Sequence, residues 1–502
     1  MEITTAPLLT ILVYLTLSLY GFCLVLILIY SLTQLNMLRY LLRYLKKNPK
    51  GTPPFSENDF PQVTVQLPIY NERYVVARLL KCISELDYPR DKLQIQVLDD
   101  STDDSLAITQ KLVAEYQTQG IPMVHLHRSN RSGFKAGALK EGLKNATGSF
   151  IAIFDADFLP ESDWLLKTVP HFNDPKVGVV QTRWGHLNQN YSLWTGVQAF
   201  ALDAHFILEQ IGRNQQHHFI NFNGTAGIWR KTCILDAGNW EGDTLTEDLD
   251  LSYRAQLKEW NFVFLEEVVT PAELPVTLEA IRSQQFRWNK GGAENFQKMI
   301  LRVFSSKKHP LGVKFNALIH LLNSSMFLCV LLVALLSVPI LYIKAHFPAL
   351  SFLYHLGSLF VLSTLIFYTC YWFVHRYLYG NGLPSFVKYT QRFILFYALV
   401  MGFSIHNSIA VLEGHFGKKS PFVRTPKYNI YADTKAVNTE SYSSKKRSVY
   451  TYIEGGFALY FLFGLYSAFT VSNGGDFGLF PFHLLLFIGF ASISIFGLRQ
   501  PQ

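Results

Sequence analysis

From Ile3 to Leu38 the chain carries no charged side chain, and about 20 apolar residues in helix are enough to cross a bilayer. In hydrocarbon every backbone amide must find its partner inside the segment, which a helix provides. A first span is expected at roughly Leu8 to Tyr30. A cleaved leader is the competing reading, but leaders open on basic residues and have a shorter apolar core. Here the start carries Glu2 and no base. Further apolar stretches run from about Asn316 to Ile343, Ser351 to Val374, Val449 to Val471 and Phe477 to Leu498. A sixth, Phe393 to Leu412, is ambiguous.

Lys and Arg near span ends mark the cytoplasmic side. Arg39, Arg43, Lys46, Lys47 and Lys50 follow the first span, which puts the N-terminus outside and the polar segment inside. The loop between the second and third spans has one base, Lys344, and the chain returns near Arg376. Beyond the ambiguous segment lie Lys418, Lys419, Arg424, Lys427, Lys435, Lys445, Lys446 and Arg447. If 393–412 crossed the membrane, these bases would be outside. It is therefore expected along the cytoplasmic interface as an amphipathic helix turning Arg392, His406, Asn407 and Glu413 toward water or protein. The expected count is five spans, N-terminus out and C-terminus in.

The net charge of +8, from 45 basic and 37 acidic residues, is explained mostly by these flanking bases. It suggests contact with anionic membrane lipid rather than nucleic acid. The five cysteines, Cys23, Cys82, Cys233, Cys329 and Cys370, are widely spaced without a C-x-x-C, so neither a zinc site nor a disulfide framework is implied.

Between Pro61 and about Pro275, short apolar runs alternate with amphipathic helical stretches, the pattern of an α/β domain with a mostly parallel sheet. Val63 to Pro68 reads as a strand leading to Ile69-Tyr70-Asn71-Glu72. Ile95 to Leu98 delivers Asp99 and Asp100, and Phe150 to Phe154 delivers Asp155 and Asp157. Ligands of such sheets bind at the carboxyl ends of the strands. Asp is also favoured at caps and turns, which is the better reading of Asp103 and Asp104. Asp99, Asp100, Asp155 and Asp157 each follow a strand directly, an arrangement suited to Mg²⁺ or Mn²⁺ completed by substrate phosphates. Arg131 to Leu139 places bases and glycines between the two acidic strands, where a nucleotide diphosphate needs cations and close backbone approach. A glycine-containing helix entry with solvated bases fits the same residues.

Three further motifs follow: Asn223-Gly224-Thr225-Ala226-Gly227-Ile228-Trp229-Arg230, Thr246-Glu247-Asp248-Leu249-Asp250-Leu251, and Ala272-Glu273-Leu274-Pro275 leading to Gln284-Gln285-Phe286-Arg287-Trp288. With these in order, the chain resembles the processive family 2 glycosyltransferases, which include cellulose, mannan, chitin and hyaluronan synthases. Its nearest look is to the cellulose-synthase-like A and C branch. The resemblance is dense from Pro61 to Met299 and loose in the membrane part. It implies a GT-A type nucleotide-sugar domain inserted in an α-helical transmembrane domain with interfacial helices. The expected segments are a span and basic helix at 1–50, the catalytic domain at 51–275 and interfacial helices at 276–313. Two spans at 314–378, an interfacial helix and gating-like loop at 379–448, and two spans at 449–502 complete them.

The resemblance also implies roles. Glu72, Asp99, Asp100, Lys135, Asp155 and Arg287 would bind the nucleotide sugar, with Asp99 or Asp100 at base and ribose. Asp155 and Asp157 would hold Mg²⁺ or Mn²⁺. Asp248 would be the general base on the acceptor hydroxyl, and Gln284, Trp288 and Glu247 would bind the acceptor. Trp288 suits a sugar face, although an interfacial tryptophan anchor is also frequent. Asn223, Gly224 and Thr225 fit equally a turn that shapes the acceptor path. Ser420 to Lys427 looks similar to the gating loop of cellulose synthases, with Phe422, Val423, Arg424, Thr425 and Lys427 in the matching stretch and Arg424 set as an insertion between Val423 and Thr425.

The function so implied is inverting polymerisation of a β-linked hexose chain from UDP-glucose or GDP-mannose, with the growing polysaccharide moved through the spans. Asn323, Ser324, Ser325, Tyr368, Tyr371, Trp372 and Glu454 are the polar and aromatic residues that suggest a pore; Ser324 and Ser325 read more readily as helix packing. Transfer of one sugar to a lipid is the alternative reading, and a non-catalytic scaffold the reading from another class. A single span before the domain, as in the A and C branch, no cysteine-rich module and no soluble domain after the last span leave any regulation to partners, and accessory export subunits are among the partners considered. Short loops favour a bacterial inner membrane over a Golgi membrane.

Overall fold

The computed structural model describes residues 7–47, 60–350, 355, 357–431, 448–472 and 474–499. Lys50, Ser351, Lys435, Lys445, Lys446 and Arg447, used above, lie outside the described residues. The chain forms two compact units, one of Arg39–Leu321 with Gly417–Tyr442, the other of Met1–Leu38, Leu322–Phe416 and Ser443–Gln502.

The first unit is built on a seven-stranded sheet in the order β3-β2-β1-β4-β6-β5-β7. The strands are β1 Val63–Ile69, β2 Leu93–Asp99, β3 Met123–His127, β4 Phe150–Ile153, β5 Val177–His186, β6 Gly227–Arg230 and β7 Asn261–Ala272. Pairings β1–β2, β1–β4, β2–β3 and β5–β7 are parallel, and β6 runs antiparallel to both its neighbours. The mostly parallel sheet expected from sequence is therefore present. Its central strands are covered on both faces, which is why they read as apolar runs rather than alternating ones. Val63, Val65, Leu67, Ile95, Val97, Ala152 and Phe154 are buried in one core with Leu79, Leu80 and Trp164. Each large side chain so buried contributes about 1.5–3 kcal/mol.

Chain order places the ligand crevice. From β1 the chain moves outward to β2 and β3, then returns to the other side of β1 as β4. The opening at such a reversal lies at the strands' carboxyl ends, where Tyr70 to Glu72, Asp99-Asp100 and Asp155 to Asp157 sit. The long helix Leu278–Ser305 starts at Thr277, whose side chain accepts from Ala280 N, and is followed by Leu311–Leu321. Met299 and Val303 of the long helix pack with Tyr253, Ala317 and Leu321. Residues 311–321 are thus a separate helix, and the span begins at Asn323 rather than Asn316.

Among the described residues, five helices are long and apolar enough to cross a membrane: Leu8–Lys46, Asn323–His346, Gly357–Tyr379, Val449–Thr470 and Phe480–Arg499. The ambiguous segment is a pair, Leu383–Gly402 and Ser404–His415, bent by 51° and able to count as a sixth span only when taken together. It is not the single amphipathic helix expected. Its backbone meets the last helix closely, with Gly402 facing Gly489, the small-residue contact of membrane helices. His406 and Asn407 are buried, at 5% and 1% exposure, so they face protein. Several polar residues that suggested a pore make helix contacts. Tyr30 donates to Asn323 Oδ1 at 2.6 Å, Ser325 meets His415 at 2.8 Å, and the Tyr368 hydroxyl meets Thr390 at 2.6 Å. Trp372 packs edge-on to Phe386 and near Tyr389.

Candidate active site

At the end of β2 two adjacent carboxylates have different fates. Asp99 is fully buried, accepts from Ser101 N at 2.8 Å and meets His125 Nε2 at 2.9 Å. Burial opposes its ionisation, but the His125 and Ser101 hydrogen bonds prevail and hold it below the usual carboxylate range. Asp99 does not line the cavity described below. Of the two acids expected at base and ribose, Asp99 therefore has its side chain turned to His125 of β3, and Asp100 is the one at the cavity. Asp100 does line the cavity, gripped by Arg128 through Nε at 2.7 Å and Nη2 at 2.5 Å, the two-pronged geometry peculiar to arginine. Nearby, the Arg131 guanidinium lies 3.4 Å from the centroid of the Tyr70 ring.

At the end of β4, Asp155 and Asp157 each face a lysine, one from the helix Phe134–Lys144 just before β4 and one from the segment after residue 416. Lys135 Nζ is 2.5 Å from Asp155 Oδ1 and donates to Gly224 O at 2.8 Å. Lys427 Nζ is 2.6 Å from Asp157 Oδ2 and also bonds Glu273 O. Burial alone would lower the Lys135 pKa, but Asp155 and Glu247 raise it, so it stays charged. Glu72 pairs with Arg424 at 2.7 Å. Burial, helped by Asp157, pushes Glu72 up to about 7 against the pull of Arg424.

Thr246-Glu247-Asp248 opens the helix Glu247–Leu257. It is held by the helix Leu278–Ser305: Asn295 Nδ2 donates to Thr246 O at 3.1 Å and Thr246 Oγ1 at 2.9 Å, and Leu245 N donates to Glu294 Oε2 at 2.8 Å. The approach requires Gly291, since a Cβ there would lie 2.5 Å from Thr246 Oγ1. This contact brings Gln284, Arg287 and Trp288, which share one helix face at i, i+3, i+4 spacing, to the cavity that Asp248 lines. Opposite stands Gly224, at φ +81°, where a Cβ would come 3.0 Å from Asp248 Oδ2. Burial, then the neighbouring Glu247 carboxylate, pushes Asp248 up to about 7. Glu247 is raised too, by burial. Arg287 is lowered by burial, with Glu247 and Asp155 working against that.

The segment Gly417–Tyr442 belongs with this unit rather than with the helices beside it in sequence. The physical reason is charge. Lys427 and Arg424 neutralise Asp157 and Glu72. Tyr428 N donates to Glu273 Oε1 at 2.7 Å, and Arg78 bridges Glu273 Oε2 at 2.7 Å to Asn429 Oδ1 at 2.8 Å. Phe422 stacks on Phe134 at 5.7 Å, with the Arg287 guanidinium 4.6 Å from its ring. Phe422, Arg424, Thr425 and Lys427 line the cavity, whereas Val423 is 57% exposed and offers its carbonyl to Arg287 at 3.5 Å.

The result is one cavity of about 190 Å³. It gathers Glu72, Asp100, Lys135, Asp155, Asp157, Glu247, Asp248, Gln284, Arg287 and Trp288, every expected binding or catalytic residue except Asp99. Asp155 and Asp157 suit a hard divalent cation: both are carboxylates of one turn, and each now meets an ammonium of the kind such an ion would replace. Another acidic group, Glu241, Asp243 and Asp250, has oxygens within 4.8 Å of one another. It is already satisfied by Lys298 Nζ at 2.7, 2.8 and 2.9 Å. Sequence reasoning missed Arg128, Arg78 and Lys290. Lys290 is fully buried and holds Lys418 O and Ser420 Oγ at 2.5 Å; its position three residues after Arg287, on the same helix face, was an available signal. Arg128 and Arg78 had none, because their partners are distant in sequence.

Residues 61–291 match the model of the glycosyltransferase like family 2. Glucomannan 4-β-mannosyltransferase 9 of Arabidopsis thaliana is 34% identical over 461 residues, covering 87% of this chain and 81% of that protein. A probable glucomannan 4-β-mannosyltransferase 4 of rice, Oryza sativa subsp. japonica, is 43% identical over 273 residues, 53% of this chain and 49% of its own. Against this and other rice relatives the match spans about half the relative's length. The mannosyltransferase PcManGT of Pyrobaculum calidifontis, solved with GDP-Man and Mn²⁺, shares the fold at a TM-score of 0.50 and 19% identity, over 79% of this chain and all of that one. The plant relatives lend no support to the bacterial membrane that loop lengths favoured. By its residues, its fold and its 34% identity across most of the Arabidopsis relative, the chain belongs to glycosyltransferase family 2, on the branch that holds the glucomannan 4-β-mannosyltransferases.

Proposed function

We propose that this protein is a membrane-embedded, inverting hexosyltransferase that extends a β-linked glycan from a nucleotide sugar. One observation carries the reading: Asp248, raised toward neutrality, shares a single cavity with Lys135, Arg287 and the Asp155–Asp157 turn. A base with a pKa near the working pH is the effective one. In the proposed reaction the acceptor hydroxyl attacks the anomeric carbon, its proton passes to Asp248, and the sugar–phosphate bond breaks on the opposite face. Lys135 and Arg287 then offset the charge developing on the diphosphate. A divalent cation held by Asp155 and Asp157 would add to that neutralisation. Trp288 and Gln284 hold the terminal acceptor sugar. No covalent nucleophile is needed.

The mannosyltransferase relatives support GDP-mannose as donor, with a mannan or glucomannan as product. The five apolar helices support a membrane setting. Passage of the chain through them, with the catalytic unit cytoplasmic, completes the proposal. The test is incorporation of label from GDP-mannose and, separately, UDP-glucose into ethanol-insoluble material by membranes containing the protein. Polymer from GDP-mannose that β-mannanase digests is expected. Label confined to the lipid extract would overturn polymerisation in favour of single-sugar transfer to a lipid.

A further inference from the structure

The helix Leu193–Asp203 continues into a π-helical turn, Ala204–Gln210, before Ile211–Asn214. Such widened turns are rare and concentrate at functional sites. This one bears His205, Glu209 and Gln210, and leads to Arg213; none of these carries a role in the reading above.

These side chains form a chain of fixed direction. Arg213 is buried, at 1% exposure, and its Nη2 lies 3.3 Å from Glu209 Oε2. A buried guanidinium keeps its partner carboxylate ionised, because either charge alone would be costly there. Glu209 Oε2 also lies 3.0 Å from His205 Nδ1. An ionised carboxylate only accepts, so His205 carries its proton on Nδ1 and leaves Nε2 as an acceptor. His205 Nε2 is 2.8 Å from Asn223 Nδ2, which therefore donates. Asn223 Oδ1 in turn accepts from Gln210 Nε2 at 2.6 Å. Donor and acceptor ends of the Asn223 amide are thereby set at both sides, with one N–H and one acceptor site still to spare.

Asn223 lines the active cavity and begins the turn whose next residue, Gly224, binds Lys135 and crowds Asp248. Thr225 Oγ1, one residue on, accepts from Asp155 N at 2.8 Å. Orientation of one amide thus reaches the base, the lysine and the D-x-D turn through three consecutive residues.

We infer that His205, held by Glu209 and Arg213, is a positioning residue that aims the Asn223 amide at an acceptor sugar hydroxyl beside Asp248. The inference rests on the function proposed above. His205 touches neither donor nor acceptor; it decides which end of the amide the acceptor meets. Misdirection of that amide frees the activated donor to be attacked by water in place of the sugar hydroxyl.

The readout is the ratio of sugar incorporated to nucleotide released, with the KM for donor and for an added oligosaccharide acceptor. His205→Ala is expected to lower that ratio about tenfold, the cost of roughly one hydrogen bond to an acceptor, and to raise the acceptor KM with the donor KM unchanged. His205→Gln, whose side-chain carbonyl also accepts from Asn223, is expected to recover most of the ratio. In an Asn223→Ala background His205→Ala should add nothing further, since a residue acting through another loses its effect when that other is gone. Additive losses, or a raised donor KM in His205→Ala, would overturn the inference and leave His205 a purely structural residue. Release of nucleotide by the wild-type protein from neither donor would overturn the proposed function itself.

Discussion

Two acidic pairs stand at the ends of β2 and β4, the strands on either side of β1, and the protein treats them in opposite ways. Asp99 and Asp100 after β2 are satisfied by His125, Ser101 N and the fork of Arg128. Asp155 and Asp157 after β4 are each balanced by a single lysine ammonium, Lys135 and Lys427 respectively. A two-pronged guanidinium contact at 5% carboxylate exposure holds the Asp100 carboxylate fast at the cavity's edge; an ammonium is a point charge on a flexible stem, and it exchanges readily for another cation. The difference teaches that adjacency to a strand end does not distinguish a structural acid from a functional one. The countercharge does.

Asp248 sharpens the contrast, because it has no ion-pair partner among the described residues and its pKa rises instead. Asp248→Asn is expected to lower sugar transfer by about 10³-fold while the melting temperature stays within a degree or two, measured by thermal unfolding beside the activity assay. Asp155→Asn or Asp157→Asn should cost about 10²–10³ in transfer, again with the fold intact. Equal losses from Asp99→Asn at unchanged stability would break the comparison.

Arg128→Ala tests the structural half. It leaves the nearly buried Asp100 carboxylate without its partner, and destabilisation of about 3 kcal/mol is expected, read from denaturant unfolding. A stable variant defective only in donor binding would move Asp100 to the functional side.

The pH profile follows from the raised pKa. Asp248 accepts a proton only when ionised, so transfer should be at its plateau above pH 7 and fall about tenfold per unit below it. A profile still flat at pH 5.5 would remove Asp248 as the base. The smallest effect is expected from Lys427→Gln, which withdraws a competing charge from Asp157. Mn²⁺ binding in the absence of donor, followed by electron paramagnetic resonance, should tighten about threefold, less than 1 kcal/mol; weaker binding would mean that Lys427 helps to assemble the site.

Much of this protein is legible in its sequence. The uncharged stretch Ile3 to Leu38 announces a membrane helix because the hydropathy of a continuous segment is a local property. The runs Val63 to Leu67 and Phe150 to Phe154 announce covered parallel strands for the same reason, and the motifs at Asp155, Asp248 and Arg287 name the chemistry without reference to packing. Tertiary structure alone decided the rest. It buried Asp99 and kept Asp100 at the cavity, although the two are adjacent and alike. It split the apolar stretch around Asn316 into two helices, bent 383–415 at Phe403 and put Gly417–Tyr442 in the catalytic unit. It paired Lys427 with Asp157 and joined His205 to Asn223. Pattern and propensity act over a few residues, and a countercharge is chosen by proximity in space. Which carboxylate is bound fast and which is free for chemistry therefore emerges only when the chain has folded.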